Sequence, residues 1–204
     1  MSEERQRILF EKHLPVHAVN YCFSLWQQLD FEFKITRNRV SKYGDYRFDP
    51  LTKHHIVTVN HDQNPYAFLI TYIHEVAHKV TRDIYKNQVK PHGKEWKMQF
   101  KKLMIPMLRE DIFPMDILGP LARHMKNPKA SSASDSTLVA ALRKYDDKID
   151  SESLNQIELG GKFLFRKKVY RKLESRRTRA LCEHLESKKQ YLISESAPVK
   201  RFKN

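Results

Sequence analysis

Two histidines and a glutamate stand at a spacing that could hold a metal ion and use it in hydrolysis. They form the run His74-Glu75-Val76-Ala77-His78, an H-E-x-x-H pattern. On a helix, residues four apart lie on one face, so both imidazoles can donate a nitrogen to one zinc ion. Glu75 lies about 100° around the helix from His74, a position suited to acting on a metal-bound water rather than to coordination. The run therefore predicts a metal centre with an acid/base carboxylate beside it.

A catalytic zinc site also needs a third protein ligand and one open position. Metzincins place that ligand six residues after the second histidine, but here the position is Ile84, which cannot ligate. His92, 14 residues after the second histidine, is the better candidate, because Pro91 restricts and Gly93 frees the backbone around it. Glu95 is the competing ligand. The alternatives without a metal are a hydrogen-bonded pair of core histidines and, for His92, a surface residue that caps a helix.

The element that must position the two histidines is predicted to be a buried helix. Asn64 and Pro65 are typical of a helix start, and the segment up to about Lys86 is apolar on several sides. Polar side chains left unsatisfied inside such a helix would cost several kcal/mol. A bound metal would remove that cost.

The rest of the chain predicts further helices and strands. Acidic residues after Ser2 favour a first helix, Pro15 interrupts it, and apolar residues at helical spacing follow. The other expected elements are a strand at 31–36, a turn at Gly44-Asp45, a strand at 55–59, a helix from about Gly93, a polar linker at 126–137, a short helix at 138–145, and strands at 162–166 and 190–193 separated by basic turns. We therefore expect an α+β fold with a first domain at 1–125 that contains the H-E-x-x-H helix, a linker with a short helix at 126–150 and a small basic β unit at 151–204.

The composition points to a polyanionic partner. Lys and Arg number 38 against 24 Asp and Glu, a net charge of +14, and residues 151–204 carry more than half of the excess. Two cysteines, Cys22 and Cys182, are too few for a disulfide framework or a four-cysteine metal site. The sequence offers no stretch of roughly 20 apolar residues and no signal peptide, so we expect a cytoplasmic protein without membrane contact. A basic surface attracts nucleic acid, although a solvated charged face is the alternative.

Two motifs together resemble the SprT-like family of zinc-dependent proteins, which includes eukaryotic Spartan. They are the H-E-V-A-H run and the later run P-H-G-K-E-W-K at 91–97; segments 39–47 and 56–60 also look like the strands that precede the family's active helix. The resemblance covers roughly residues 10–120. It implies a zincin-like fold, one zinc ion per chain held by His74, His78 and His92, and Glu75 as the catalytic base and acid.

That resemblance implies zinc-dependent peptide hydrolysis. Zinc would lower the pKa of its bound water and polarise the scissile carbonyl, while Glu75 accepts the water's proton and delivers it to the leaving amine. Tyr43, Tyr46 and His61 are candidates for the donor that stabilises the oxyanion. Manganese or cobalt could replace zinc in vitro.

The family also suggests a substrate, since Spartan cleaves proteins crosslinked to DNA. Many members carry a C-terminal zinc ribbon, but this chain lacks its cysteines, so we expect the ribbon-like unit to be held by packing, and the alternative is a loosely folded tail. Its basic residues could follow a phosphate backbone without reading sequence. The residues expected to contact DNA are Arg166, Lys167, Lys168, Arg171, Lys172, Arg176, Arg177 and Arg179. The alternatives to a peptidase acting at DNA are a non-catalytic zinc-containing DNA-binding protein and a peptidase indifferent to DNA.

Overall fold

The computed structural model describes residues 2–39, 42–130, 134–146 and 152–202 of the chain. It divides into two compact units, Met1–Tyr145 and Asp146–Asn204. The first unit combines helices with a small sheet and the second is mainly strands, so the predicted α+β class is confirmed. Within the described ranges, every helix is too short or too polar to span a lipid bilayer.

The first unit begins with two helices that cover one side of its core. Helix α1 spans Glu3–His13, and the Ser2 side chain caps it by accepting from the Arg5 N–H. A short helical turn, Val16–Ala18, follows Pro15, and helix α2 spans Val19–Leu29. The predicted interruption at Pro15 is confirmed.

Three short strands form the sheet of the first unit. They are β1 (Glu32–Thr36), β2 (Gly44–Phe48) and β3 (His55–Asn60), in the order β1-β3-β2. Strand β1 runs parallel to β3, and β2 runs antiparallel to it at the sheet edge. The prediction of a turn at Gly44-Asp45 is wrong, because both residues lie within β2. Glycine and aspartate favour turns, but here the glycine serves close packing against a helix, as described below.

The long helix α3 spans Pro65–Tyr85 and packs against β2 and β3. Its start is confirmed: the Asn64 side chain accepts hydrogen bonds from the N–H groups of Tyr66 and Ala67. Eleven of its residues are buried, among them Glu75 and Lys79. The helix is therefore the centre of the first unit.

Three further helices complete this unit: α4 (Lys94–Met104), α5 (Met115–Lys126) and α6 (Ser136–Arg143). Helix α5 was not predicted. Helix α6 belongs to the core of the first unit rather than to a linker, since its Leu138 and Leu142 are buried in that core. The Asn64 side-chain amide also donates to the Leu142 carbonyl at 2.9 Å. The first unit thus extends about 20 residues beyond the predicted boundary at 125.

The second unit is built around one antiparallel sheet. Its strands are β4 (Glu152–Ser153), β5 (Lys162–Phe165), β6 (Lys168–Ser175), β7 (Arg179–His184), β8 (Gln190–Ser194) and β9 (Pro198–Arg201), in the order β4-β9-β5-β6-β7-β8. Strands β6 and β7 replace the basic turns expected there. Cys182 is buried in the core with residues such as Phe163, Tyr170 and Ile193. Packing thus holds a unit that carries no cysteine metal site.

Candidate metal centre

Helix α3 brings His74 and His78 together one turn apart, as predicted. Both side chains are partly buried, and their Nε2 atoms lie 3.3 Å from each other. Burial lowers the pKa of His74 to about 2 and that of His78 to about 3. Both imidazoles are therefore neutral near pH 7, which is the form that binds a metal ion.

His92 reaches the pair from the turn between α3 and α4. The Gly93 N–H donates to the Lys90 carbonyl at 2.9 Å, which closes a four-residue turn with Pro91 second and His92 third. His92 has φ +58°, the left-handed conformation that a type II turn requires at its third position. Glycine usually occupies that position, so a histidine is held there at a conformational cost of about 1–2 kcal/mol.

The three Nε2 atoms form a nearly regular triangle. His92 Nε2 lies 3.2 Å from that of His74 and 2.9 Å from that of His78. Tetrahedral zinc with bonds of about 2.0–2.1 Å separates its nitrogen ligands by about 3.3 Å. The three atoms therefore fit one metal ion. Among the described residues, this trio is the group of potential ligands that converges; Glu95 is outside it, and Ile84 is largely exposed.

Trp96 forms an apolar support under all three histidines. The indole is fully buried, and its ring centre lies 4.6 Å from those of His74 and His92 and 5.2 Å from that of His78. Phe100 stacks behind it at 5.0 Å. The sequence indicated Trp96 only as part of an apolar helix face. Its position four residues after His92 was the available signal, since that spacing places it one turn into the helix that His92 precedes.

Glu75 lies next to this triangle, buried under strand β2. The Tyr46 backbone N–H faces its carboxylate, and its exposed fraction is 7%. A Cβ added to Gly44 would lie 2.7 Å from Glu75 Oε1, so only glycine leaves room for the carboxylate. Burial, followed by the negative charge of Asp45, raises the pKa of Glu75 to about 8. A metal ion beside it would favour the charged form and oppose this shift.

The three candidates for an oxyanion donor occupy different surroundings. The Tyr46 hydroxyl bonds to His55 Nδ1 at 2.8 Å, and its ring lies parallel to that of His78. The Tyr43 side chain is half exposed, while its carbonyl accepts from the Asn60 N–H. His61 is exposed and follows β3. Tyr46 is thus the candidate that contacts the histidine site, but its hydroxyl is already engaged elsewhere.

Most of the basic residues predicted to contact DNA lie at or near the two ends of strand β6, which begins at Lys168. Arg166 and Lys167 form the β5–β6 hairpin loop, both with positive φ, whereas Arg176, Arg177 and Arg179 lie at or beside the β6–β7 connection. Strand β6 has eight residues, and at about 3.3 Å per residue its ends are roughly 23 Å apart. The predicted DNA-contacting set is therefore two clusters rather than one patch.

Two members of that set lie between the ends. Arg171 is half-buried and faces Glu183 across the β6–β7 pair. Lys172 departs from the prediction: its side chain is 2% exposed, and its ammonium bonds to the Leu154 carbonyl at 2.9 Å and to Glu195 at 3.0 Å. Since a buried, paired ammonium cannot reach a phosphate, Lys172 has a structural role in the second core.

Comparison of the chain with models of protein families, with curated proteins and with solved structures gave no match in any of the three. The interpretation of the site therefore depends on its geometry and on the two sequence motifs.

Proposed function

We propose that the chain is a zinc-dependent metallopeptidase of the SprT-like, zincin-like kind that cleaves proteins at or near DNA. The observation that carries the proposal is the triangle of Nε2 atoms of His74, His78 and His92, with sides of 2.9–3.3 Å, beside the buried Glu75. A structural zinc site is usually closed by a fourth protein ligand. Three histidines with a neighbouring carboxylate fit the catalytic type better.

The three histidines and Glu75 have separate roles in the proposed hydrolysis. The three histidines would hold a zinc ion, and a zinc ion there would supply a water of lowered pKa and a positive charge for the peptide carbonyl. Glu75 takes the proton of the attacking water and returns it to the leaving amine. Its tight fit against Gly44, with the Tyr46 N–H facing it, limits the directions that the carboxylate can take before substrate arrives.

The edge position of β2 supports a peptide as the substrate. Within the described sheet, β2 pairs only with β3 and leaves its other edge unpaired. An extended peptide can add to such an edge through backbone hydrogen bonds. Because Tyr46 of β2 contacts both Glu75 and His78, a peptide on this edge would lie close to the metal centre.

The exposed basic clusters support DNA as the place of action. Arg166, Lys167, Arg177 and Arg179 are exposed, whereas Arg176 is paired with Glu174 at 3.1 Å. The Arg166 guanidinium lies over the Phe165 ring at 5.1 Å. Binding through phosphates alone would be insensitive to sequence and would weaken steeply with salt. Neutralising Arg166 and Lys167 should lower DNA affinity and the salt dependence, and neutralising Arg176 and Arg177 should do the same if both ends contact the backbone. Titrations of the two variants at several salt concentrations test this.

The test of the activity uses zinc-loaded protein and a DNA-binding protein as substrate, with single-stranded, double-stranded or no DNA. Glu75→Gln should abolish cleavage with zinc bound at one per chain, while the control Glu95→Gln should cleave normally, since Glu95 is outside the converging group. Cleavage that is the same with and without DNA would indicate a peptidase indifferent to DNA. Stoichiometric zinc without cleavage under any condition would refute the peptidase and favour a non-catalytic DNA-binding protein.

A further inference from the structure

Tyr46 touches both parts of the metal centre from outside the ligand set. Its backbone N–H faces the Glu75 carboxylate and favours the charged form of that group. Its ring lies nearly parallel to the His78 imidazole, with 8° between the planes and 6.3 Å between the centres. One residue of an edge strand therefore contacts both the acid/base carboxylate and a metal-binding ring.

The Tyr46 hydroxyl is anchored by a chain of polar side chains that returns to helix α3. It lies 2.8 Å from His55 Nδ1, and His55 Nε2 lies 3.7 Å from Asp83. Asp83 in turn accepts from the Lys79 ammonium at 2.5 Å. The chain thus starts on β2, crosses β3 and reaches α3 at Asp83, about one turn beyond His78, before it ends at Lys79.

These contacts determine which nitrogen of His55 carries the proton and which one accepts the hydrogen bond from Tyr46. Burial lowers the pKa of His55, which favours the neutral ring, and the Asp83 carboxylate favours a proton on the facing Nε2. Nδ1 is then left to accept the tyrosine O–H. The phenol ring is held at both ends, by its hydroxyl and by its backbone, and cannot turn away from His78.

We infer that Tyr46 is a positioning residue of the metal centre, which fixes the His78 ring and the Glu75 carboxylate relative to each other through its anchor on His55. Its consequence for catalysis rests on the proposed peptidase function, whereas its consequence for metal binding does not. Groups that orient metal-binding histidines typically change metal affinity or activity by about 10–100-fold when removed.

Two substitutions separate the ring from the hydroxyl in the full-length protein. Tyr46→Phe keeps the ring but loses the hydrogen bond to His55, and should weaken zinc binding by about threefold to tenfold. Tyr46→Leu also loses the ring contact and should weaken it by about 10–100-fold. Zinc affinity is measured by competition with a chromophoric chelator, and the absorption spectrum of the cobalt-loaded protein reports the coordination geometry. That spectrum should change in Tyr46→Leu.

Tyr72→Phe is the matched control. Tyr72 lies on the same helix, and its buried hydroxyl donates to the Cys22 carbonyl at 2.9 Å, away from the histidines. This variant should lose stability comparable to Tyr46→Phe, yet keep the wild-type zinc affinity and cobalt spectrum. An equal loss of zinc affinity in Tyr72→Phe would show a merely structural effect and overturn the inference.

A double-mutant cycle that combines Tyr46→Phe with His55→Leu keeps the inference testable if Tyr46→Leu fails to fold. His55→Leu should weaken zinc binding as Tyr46→Phe does, and the double variant should show little further loss, because both remove the same hydrogen bond. Fully additive losses, or unchanged affinity in all three, would overturn it. None of these readouts requires peptide cleavage, so a failure of the peptidase proposal and a failure of this inference are distinguishable.

Discussion

Gly44→Ala tests whether the close fit between strand β2 and Glu75 matters for the chemistry. The added methyl carbon would lie 2.7 Å from Glu75 Oε1, 2.9 Å from Glu75 Cγ and 2.6 Å from Thr71 Cγ2. Ordinary contact begins at 3.4 Å, so the carboxylate must move by about 0.7 Å. Gly44 lacks the positive φ that would make alanine strained, and the substitution therefore tests the contact alone.

The size of the effect follows from that displacement. Overfilling a packed site costs about 1–3 kcal/mol of unfolding free energy. A shift approaching 1 Å in a group that transfers a proton can lower the rate by about 100-fold. We expect cleavage to fall about 10–100-fold, while zinc affinity is unchanged because the three histidines do not contact the new methyl group.

Gly44→Ala and two companion variants are compared by three measurements: urea unfolding, zinc competition and cleavage of the DNA-binding protein substrate. Adding Thr71→Ser to Gly44→Ala removes the methyl group at 2.6 Å, so part of the stability should return while cleavage stays low. Gly119→Ala is the control, since nothing lies within 4 Å of its added carbon and α5 should gain about 0.5–1 kcal/mol. Wild-type cleavage by Gly44→Ala, or full rescue by Thr71→Ser, would refute the reasoning.

Three other substitutions have expected outcomes. His92→Gly should leave the metal-free protein as stable or up to about 1 kcal/mol more stable, because glycine accepts the positive φ, while zinc affinity falls by more than about 100-fold; thermal unfolding and zinc competition check this. Trp96→Leu should destabilise the first unit by about 3 kcal/mol and weaken zinc binding, and unchanged affinity in folded protein would contradict its supporting role. Lys172→Met should destabilise the second unit by about 3 kcal/mol by leaving Glu195 unpaired, and the double variant with Glu195→Leu should recover most of that loss in urea unfolding.

The sequence predicts the convergence of the three histidines better than it predicts their surroundings, for physical reasons. His74 and His78 are related by helix geometry alone, and the turn residues around His92 signal its conformation, so local rules suffice. The contacts of Tyr46 and Gly44 with helix α3 join residues about 30 positions apart in the chain. No local pattern encodes such a contact, which is why the sequence alone predicts a turn at Gly44.

The same limit applies to the second unit and to helix α5. Strands β6 and β7 carry exposed basic residues at their ends. In the sequence these residues obscure the alternation of buried and exposed positions, in which Tyr170, Ala180 and Cys182 are buried. A lysine inside a core, as at Lys172, is recognisable only once Glu195 is seen beside it. Helix α5 contains Pro120, a residue that usually argues against a helix interior.

All three histidines of the metal centre come from 19 consecutive residues, His74 to His92, within one helix and the turn that follows it. During synthesis, N-terminal segments fold before C-terminal ones exist. The complete donor set, and Trp96 behind it, therefore leave the ribosome well before the strands of the second unit have been made. On the proposed function, metal loading would accompany translation, and a chain truncated after the first unit should bind zinc as the whole chain does.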